Sequence, residues 1–444
     1  MKKARIAVIG AGLSGLACAY ELTKAGQDVV VYEKAGRVAG RSLTRRDGLY
    51  PFDTGAQFLN NGYSQCRAYC KELGISNLWR TMDVSTHHLY KNGKLHCISF
   101  KSIGEFLGLS FYSTLARVRL LMCYLRLQRD AKGIDLYDLS KANTKFDQIS
   151  ARDYILKWGG QEVLDYAFDS LIATYHFHGA HDLSLSCLLG AISAIGKDFS
   201  YDYFEGGLDM LAQALAKKVL VNCGREVQKV VPGLGGIIVE EARSKEVFDH
   251  VVIATTASVA KSILKGASPD QKQLLDAVNY SSTVTAAFRV PSAAVSNLAM
   301  VAVPASQNQN ICCYFNQNSK YVDLLSGEYT LINVFLRDEC AKEWISAPDE
   351  QLWEFIKAEL IEVCPPLKSC VGKVEPYDLQ RWPEAIPKYS VGFVSHAGRF
   401  WQEGQGDNNV FMCGDYLNAP WMEGSTRCGK KVAESVLASI TVNK

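Results

Sequence analysis

The sequence lacks the features that are typical of nucleic-acid-binding and membrane-spanning proteins. Its 444 residues carry a formal net charge of only +2, with no run or stripe of basic side chains. No uninterrupted apolar span reaches the roughly 18 residues that a membrane-spanning helix needs. The balanced charge argues against nucleic acid as a partner, and the missing apolar span argues against a transmembrane helix.

Cysteine pairing motifs and a secretory leader are also missing. The 14 cysteines stand singly or as Cys66/Cys70 and Cys312/Cys313, and no Cys-x-x-Cys occurs. Residues 1–3, Met-Lys-Lys, lead directly into an apolar strand instead of a signal peptide. This pattern predicts reduced, mostly buried thiols in a cytoplasmic protein.

The most apolar stretch, 103–127, still contains Glu105, Arg117, Arg119 and Arg126. Its pattern predicts a helix over 103–129 that packs against its own protein; peripheral contact with a membrane surface is the less favoured alternative. Hydrophobic residues make up 48% of the chain and charged residues 21%, which indicates a folded globular protein with two or three substructures.

The most informative stretch lies at residues 5–34. An apolar strand pattern meets Gly-x-Gly-x-x-Gly, a helical pattern follows, and a second strand ends at Glu33. In such a unit the first glycine makes a tight turn, the second lets a pyrophosphate approach the backbone, and the third permits close helix packing. The helix N-terminus attracts phosphate, and the carboxylate accepts hydrogen bonds from ribose. A plain βαβ unit without a ligand is the alternative. The predicted dinucleotide-binding residues here are Gly10, Gly12, Ser14, Gly15, Glu33 and Lys34.

A second glycine-rich stretch follows at residues 36–58. It contains Gly36-Arg37, Gly40-Arg41 and the run Asp53-Thr54-Gly55-Ala56-Gln57. Together with the first stretch, this order resembles the FAD-dependent flavin amine oxidase superfamily, which includes monoamine and polyamine oxidases, protoporphyrinogen oxidases and phytoene-type desaturases. The family usually has glycine where this chain has Ala39. The resemblance implies that Glu33 binds the adenosine ribose and that the following residues line the rest of FAD: Arg37, Gly40, Arg41, Gly55, Ala56 and Gln57.

Two later segments extend the resemblance almost to the last residue. Residues 227–256 resemble the family's second nucleotide-binding segment, in which a strand contacts adenine and an Ala-Thr turn passes near the flavin. Residues 410–433 resemble the closing Gly-Asp…Met-Glu-Gly motif, whose helix N-terminus can stabilise a reduced flavin. The resemblance adds to the FAD site Val227, Ala254, Thr255, Gly414, Asp415, Met422 and Glu423.

These segments predict an α/β fold, with a Rossmann-type FAD-binding domain and an interleaved substrate domain of mixed sheet and helices. The FAD-binding domain is expected at residues 1–80, 200–275 and 395–444. The substrate domain is expected at 81–199 and 276–394, with a helical insert at about 103–199. The resemblance implies a cofactor held by segments far apart in sequence.

The resemblance also implies the chemistry, which is hydride transfer from a small-molecule substrate to flavin. Tyr389 and Trp421 match aromatic positions at the flavin face of amine oxidases and are the predicted catalytic residues; packing in the core is the alternative for each. Lys388 stands where monoamine oxidases carry a flavin-linked cysteine, so FAD is expected to be non-covalent. Thr283 stands where many amine oxidases carry a lysine.

Three functions remain open at this stage. The first is FAD-dependent oxidation of an amine. The second, which the lack of a lysine at Thr283 favours, is a protoporphyrinogen-oxidase-like or desaturase-like reaction on a large apolar substrate. The third is a non-catalytic flavin-binding protein. His176, His178 and His181 are close enough to suggest a metal site, but no acid or cysteine completes a ligand set at helical spacing, so no metal is predicted. The oligomeric state is not predicted.

Overall fold

The computed structural model describes residues 3–46, 48–82, 87–98, 108–109, 111–139, 144–194, 199–321 and 327–442. Its strands are β1 (Arg5–Ile9), β2 (Asp28–Glu33), β3 (Thr44–Arg45), β4 (Phe52–Asp53), β5 (Leu59–Asn60), β6 (Trp79–Thr81), β7 (His87–Lys91), β8 (Lys94–Cys97), β9 (Tyr201–Phe204), β10 (Leu220–Cys223), β11 (Val227–Gly233), β12 (Gly236–Glu241), β13 (Lys245–Phe248), β14 (His250–Ile253), β15 (Asn279–Pro291), β16 (Met300–Ala302), β17 (Ile311–Asn316), β18 (Tyr329–Leu336), β19 (Glu375–Lys388) and β20 (Val410–Met412).

Its α-helices are α1 (Leu13–Lys24), α2 (Ser64–Glu72), α3 (Thr114–Asp130), α4 (Thr144–Asp147), α5 (Ala151–Gly159), α6 (Gln161–Val163), α7 (Ser170–His176), α8 (Leu185–Ala194), α9 (Met210–Ala216), α10 (Ala257–Ile263), α11 (Pro269–Ala277), α12 (Ser292–Val295), α13 (Asp338–Trp344), α14 (Asp349–Val363), α15 (Phe393–Glu403) and α16 (Met422–Val442). A π-helical turn, Leu164–Asp169, joins α6 to α7. The predicted α/β class is confirmed.

A five-stranded parallel sheet, in the order β10-β2-β1-β14-β20, carries the first site motif. Its central strands β1 and β14 are mostly apolar and buried, because helix α1 packs against the sheet and strands β12 and β13 contact β14 and β1. The register pairs Ile9 with Ile253, so the residues that follow the two strands meet at one sheet edge. Residues 245–253 form two strands, because β13 pairs with β12 while β14 joins the parallel sheet.

Close packing of α1 fixes the distance between helix and sheet. A Cβ atom at Gly15 would stand 2.1 Å from the Gly10 carbonyl oxygen, and one at Gly429 would stand 2.3 Å from the Ser14 carbonyl oxygen. Only glycine permits both approaches. The helix after β1 is therefore held between the parallel sheet and α16, which comes from the other end of the chain.

A seven-stranded sheet of the order β19-β15-β18-β17-β16-β7-β8 forms the second large layer. All of its neighbouring strands are antiparallel except β7 and β16. Helix α14 covers it with an apolar stripe of helical period, burying Leu352, Ile356 and Leu360, while Phe355 stacks on Trp344 at a centroid distance of 4.1 Å. The two sheets have separate apolar cores. The division into two domains stays a prediction.

The helix predicted over 103–129 begins only at Thr114, where the Ser113 hydroxyl accepts a hydrogen bond from the Ala116 amide and caps it. Residues 99–107 and 110 lie outside the described part of the chain. The helix buries one face and exposes Leu115 and Val118 on the other. No described helix is long and apolar enough to cross a membrane. Contact of this helix with a membrane surface stays a prediction.

Candidate cofactor and substrate site

One cavity of about 1040 Å³ lies at the edge of the parallel sheet where the strand carboxyl ends meet, and it extends under the seven-stranded sheet. Its volume is at the upper end of the range for ligand sites, so it has room for a large ligand. Most of the predicted cofactor-binding residues line it: Gly10, Gly12, Ser14, Glu33, Lys34, Arg37, Gly40, Arg41, Gly55, Ala56, Gln57, Val227, Ala254, Thr255, Asp415 and Met422.

The dinucleotide half of the cavity is built on the β1–α1 turn. Gly12 caps α1 without a side-chain hydrogen bond, and a Cβ atom built there meets nothing within 4 Å. The Glu33 carboxylate accepts hydrogen bonds from the Ala11 amide at 2.8 Å and the Ala35 amide at 2.9 Å. These two bonds orient the carboxylate, and each oxygen keeps a lone pair for a further donor. Backbone N–H groups, a helix dipole and an acceptor are the groups that a pyrophosphate and a ribose require.

Arg41 joins three distant segments at the middle of the cavity. Its guanidinium donates to the Asp415 carboxylate at 2.9 Å and to the Ala385 carbonyl at 2.9 Å. Ala385 and Asp415 are both more than 340 residues from Arg41 in sequence. The forked guanidinium can donate to both of them at once. Asp415 is thereby held against the cavity wall in a fixed orientation.

The Gln57 amide is fixed by hydrogen bonds on both sides. Its nitrogen donates to the Asp53 carbonyl at 2.8 Å and the Gly55 carbonyl at 3.0 Å, and its oxygen accepts from Gln317 at 3.0 Å. Lys320, which is buried, adds a hydrogen bond to the Gln57 carbonyl at 2.9 Å and an ion pair with Asp53. This cluster stiffens the floor between the two halves of the cavity.

The other half of the cavity is apolar and aromatic. The π-helical turn contributes Phe168, and such turns are frequent at functional sites. Phe177 and Phe335 stack with ring centroids 5.7 Å apart. The predicted catalytic Trp421 lines this half, as does Thr283. Its further apolar lining includes Leu171, Ile172, Leu188, Ile192, Phe199 and Phe315.

Tyr389 requires a correction, because it does not line the cavity. Its side chain is fully buried in the core, and its hydroxyl donates to the Asp415 backbone carbonyl. Burial raises the pKa of the phenol, so it stays protonated and serves as a donor. Strand β19, which ends one residue before Tyr389, instead presents Trp382 to the cavity. The Trp382 indole N–H donates to the Thr54 carbonyl at 2.7 Å. Sequence spacing located the segment but selected the wrong aromatic residue.

Replacing Tyr389 by phenylalanine is therefore expected to affect stability more than catalysis. The buried Asp415 carbonyl loses its donor, which costs about 1–2 kcal/mol of unfolding free energy. We expect kcat to stay within about threefold, because the ring remains in the core. Denaturant unfolding and steady-state kinetics test this together. A loss of kcat without a loss of stability would indicate that Tyr389 acts at the reacting centre.

Glu423 is the second correction, because it lies outside the cavity. Its buried carboxylate accepts hydrogen bonds from the Gln65 amide at 2.8 Å and the Cys66 amide at 3.0 Å, and Arg427 donates to it at 2.7 Å. The residue thus binds the N-terminus of α2, where a negative charge is favourable. Gly15 and Gly414 also lie behind the cavity wall; Gly15 serves the packing of α1.

Sequence patterns drew attention to His176 without giving it a role. The structure places it in the cavity, with its ring centroid 6.5 Å from that of Trp421.

Elsewhere, ligand atoms of His181, Asp182 and Glu339 lie within 4.8 Å of one another. Helical spacing in the sequence did not indicate these two acids as partners of the histidine. The Lys388 ammonium already pairs with Asp182 at 2.5 Å, so we propose no metal there.

Burial beside His178 lowers the pKa of His176 to about 3. An unfolded histidine titrates near 6.5, so between about pH 6.5 and 3 the unfolded state binds a proton that the folded state does not. Stability is therefore expected to fall as the pH falls through this window, by about 2 kcal/mol at pH 5 from this residue. Unfolding free energies between pH 7 and 5 measure the slope. In His176→Phe the slope should become shallower; an unchanged slope would contradict the assignment.

The comparisons with known proteins agree with this geometry. The profile described as "Flavin containing amine oxidoreductase" matches residues 13–437. The chain is 26% identical over 326 residues to protoporphyrinogen oxidase 2 of Arabidopsis thaliana, covering 62% of each protein. It is 25% identical over 296 residues to the L-amino-acid oxidase of Demansia vestigiata, covering 63% of this chain and 56% of that protein. The matches thus span less than two thirds of the length of these relatives.

A solved structure shares the fold over the whole chain. Cyclohexylamine oxidase of Brevibacterium oxydans superposes with a TM-score of 0.76 and 15% identity, covering 99% of this chain and 100% of that one. Identity this low shows the fold and nothing finer. The family profile, by contrast, spans residues 13–437, which include most of the segments that build the cavity. The chain therefore belongs to the family of flavin-containing amine oxidoreductases.

Proposed function

We propose that the protein oxidises an amine with a bulky apolar substituent and transfers its hydride to non-covalently bound FAD. The observation that carries this proposal is the aromatic and apolar lining of the half-cavity that contains Phe168, Phe177 and Trp421. An apolar site disfavours the charged form of an amine and so favours the neutral form, whose lone pair can assist oxidation. When bound, the flavin accepts the hydride.

Charged side chains along the cavity support a substrate without a second charge. Among the described lining residues, Glu33 and Asp415 belong to the dinucleotide half, and Glu384 directly precedes Ala385, which holds Arg41. Arg381 is occupied by the Ile345 and Ala347 carbonyls at 2.9 and 2.7 Å and by Asp349. A polyamine or an amino acid would bury a second charge beside the apolar lining, which is costly.

Non-covalent binding of FAD is supported by the surroundings of Lys388. The residue stands where a flavin-linked cysteine would be expected, and its ammonium pairs with Asp182 at 2.5 Å and Asp338 at 2.6 Å. The described cavity lining contains one cysteine, Cys187, and burial raises the pKa of that thiol, so it is a poor nucleophile.

The same apolar lining favours a second candidate, oxidation of a large apolar substrate at carbon–carbon bonds. Anaerobic flavin reduction distinguishes the two. We expect bleaching of the flavin by arylalkyl and cycloalkyl amines, with hydrogen peroxide released when air is admitted. Bleaching by a polyene or by protoporphyrinogen, with no response to amines, would select the second candidate. A flavin that no donor reduces would contradict both.

Trp421 is expected to position the amine. Aromatic contacts of this kind contribute about 1–2 kcal/mol, so Trp421→Ala should lower kcat/KM for the best amine by roughly 10-fold. Trp401→Ala is the matched control, because this half-buried tryptophan lies outside the cavity and bonds the Leu417 carbonyl. Equal losses in the two variants, measured on protein with full flavin content, would exclude the proposed role.

A further inference from the structure

Two buried polar atoms on the substrate side of the cavity have no hydrogen-bond partner in the described part of the chain. They are Nδ1 of His176 and Nε1 of Trp421. His176 is 4% exposed, and both residues line the cavity with ring centroids 6.5 Å apart. Elements that are distant in sequence, α7 and the segment before α16, bring them together.

Leaving such atoms unpaired is costly in a folded protein. A buried donor or acceptor without a partner costs about 1–3 kcal/mol, and native structures satisfy most of them with protein, water or ligand. Neither atom has a protein partner among the described residues. The remaining source of a partner is a molecule in the cavity itself.

The two rings restrict which chemical group can satisfy them. An indole N–H can only donate, so its partner needs a lone pair, which an ammonium lacks. The imidazole of His176 is neutral, because its burial opposes protonation, and it donates or accepts according to its tautomer. An oxygen atom satisfies both rings: a hydroxyl accepts from the indole and donates to the imidazole, and a carbonyl accepts from both.

Charge decides between a neutral oxygen and a carboxylate. Among the described side chains near this pair, Lys388 is paired with Asp182 and Asp338, and Arg381 is paired with Asp349. His178, the other titratable neighbour, is buried and its Nδ1 bonds the Gly179 carbonyl. Lys388 and Arg381 are therefore not free to neutralise a carboxylate, and a neutral oxygen fits better.

We propose that His176 and Trp421 together bind a neutral hydroxyl or carbonyl oxygen of the substrate and make the enzyme selective for oxygen-bearing amines. This inference rests on the proposed function and deepens it, since it adds a second recognised group to the apolar amine. The oxygen sets the pose of the substrate and takes no part in the redox step.

The test is a binding measurement that does not need turnover. Holoenzyme is titrated with 4-ethylphenol, acetophenone and ethylbenzene, and binding is followed by the change in flavin absorbance. We expect the phenol or the ketone to bind at least 10-fold more tightly than the hydrocarbon, and the better of the two identifies the preferred oxygen. In Trp421→Phe and His176→Leu this preference should fall at least 5-fold, while Trp401→Phe keeps it.

Steady-state kinetics provide an independent test. With ring-hydroxylated and unsubstituted phenylalkylamines, the preference should appear mainly in KM and should fall in the same two variants. If no amine reduces the flavin but the binding preference is seen, the amine assignment fails and the oxygen site stands. Equal binding of the phenol, ketone and hydrocarbon by wild-type enzyme, or a preference that survives both variants, overturns the inference.

Discussion

Gly12→Val is expected to yield a folded protein that no longer retains FAD. The residue has ordinary extended backbone angles, with φ −71° and ψ 173°, which valine adopts readily. A Cβ atom there meets no protein atom within 4 Å, because the space in front of it belongs to the cavity. The added methyl groups would occupy the place that the sequence motif reserves for a pyrophosphate.

The expected loss of affinity is roughly 100-fold or more, equivalent to about 2.7 kcal/mol, since both van der Waals overlap and lost N–H···phosphate bonds contribute. Stability of the apoprotein should fall by only about 1 kcal/mol, the usual cost of a poor N-cap residue. Flavin absorbance after gel filtration and denaturant unfolding of the apoprotein measure the two effects.

Gly36→Val is the matched control for this substitution. Gly36 is exposed, a Cβ atom there also meets nothing within 4 Å, and the residue is not part of the cavity. The control protein should bind FAD as the wild type does. Retention of flavin by Gly12→Val would show that the cofactor does not approach this turn and would contradict the predicted pyrophosphate position.

Lys320→Met is expected to cost about 3–5 kcal/mol of unfolding free energy, the largest stability effect that we predict. The ammonium of Lys320 pairs with Asp53, and their side chains are 2% and 0% exposed. Burial lowers the pKa of this lysine, and the nearby carboxylate opposes that effect. Removing the cation leaves Asp53 with donors from Tyr321 at 2.9 Å and from Thr44, but with no opposite charge.

The double variant Lys320→Met, Asp53→Asn separates the ion pair from general packing. It leaves no uncompensated buried charge, so it should regain most of the lost stability. Lys261→Met provides a control, because Lys261 pairs with Asp276 at 2.5 Å on the surface, and exposed pairs contribute about 0–1 kcal/mol. A double variant as unstable as Lys320→Met would refute the charge argument. Flavin retention should follow stability, since Lys320 also holds Gln57.

Local patterns in the sequence predicted the parts of the fold whose structure is set by nearby residues. The strand, turn and helix at residues 5–24 follow from apolar periodicity and from glycine spacing, and in the structure they lie where the pattern indicated. The apolar stripe of Leu352, Ile356 and Leu360 likewise follows from the helical period. In both cases the order of nearby residues is enough to predict the secondary structure and the face that is buried.

The arrangement of side chains in the site depended on long-range packing. Motif spacing indicated the segment of Tyr389, but Trp382 on β19 lines the cavity, whereas Tyr389, which follows that strand, is buried in the core. Motif spacing also placed Glu423 at the cofactor, whereas its carboxylate bonds the N-terminus of α2, more than 350 residues away in sequence. No local signal reports such a partner.

The resemblance to the flavin amine oxidases added FAD and the distant segments that meet at the cavity. The sequence by itself therefore determined a dinucleotide-binding βαβ core. It did so because glycines that permit close approach, and a carboxylate at a strand end, have few other uses in that order. Only the tertiary structure decided which side chains face the substrate. His176 and Trp421 become neighbours because α7 packs near the segment before α16. Within the described ranges, each of the two residues has one unpaired buried polar atom, and only this packing brings the two atoms to the same cavity.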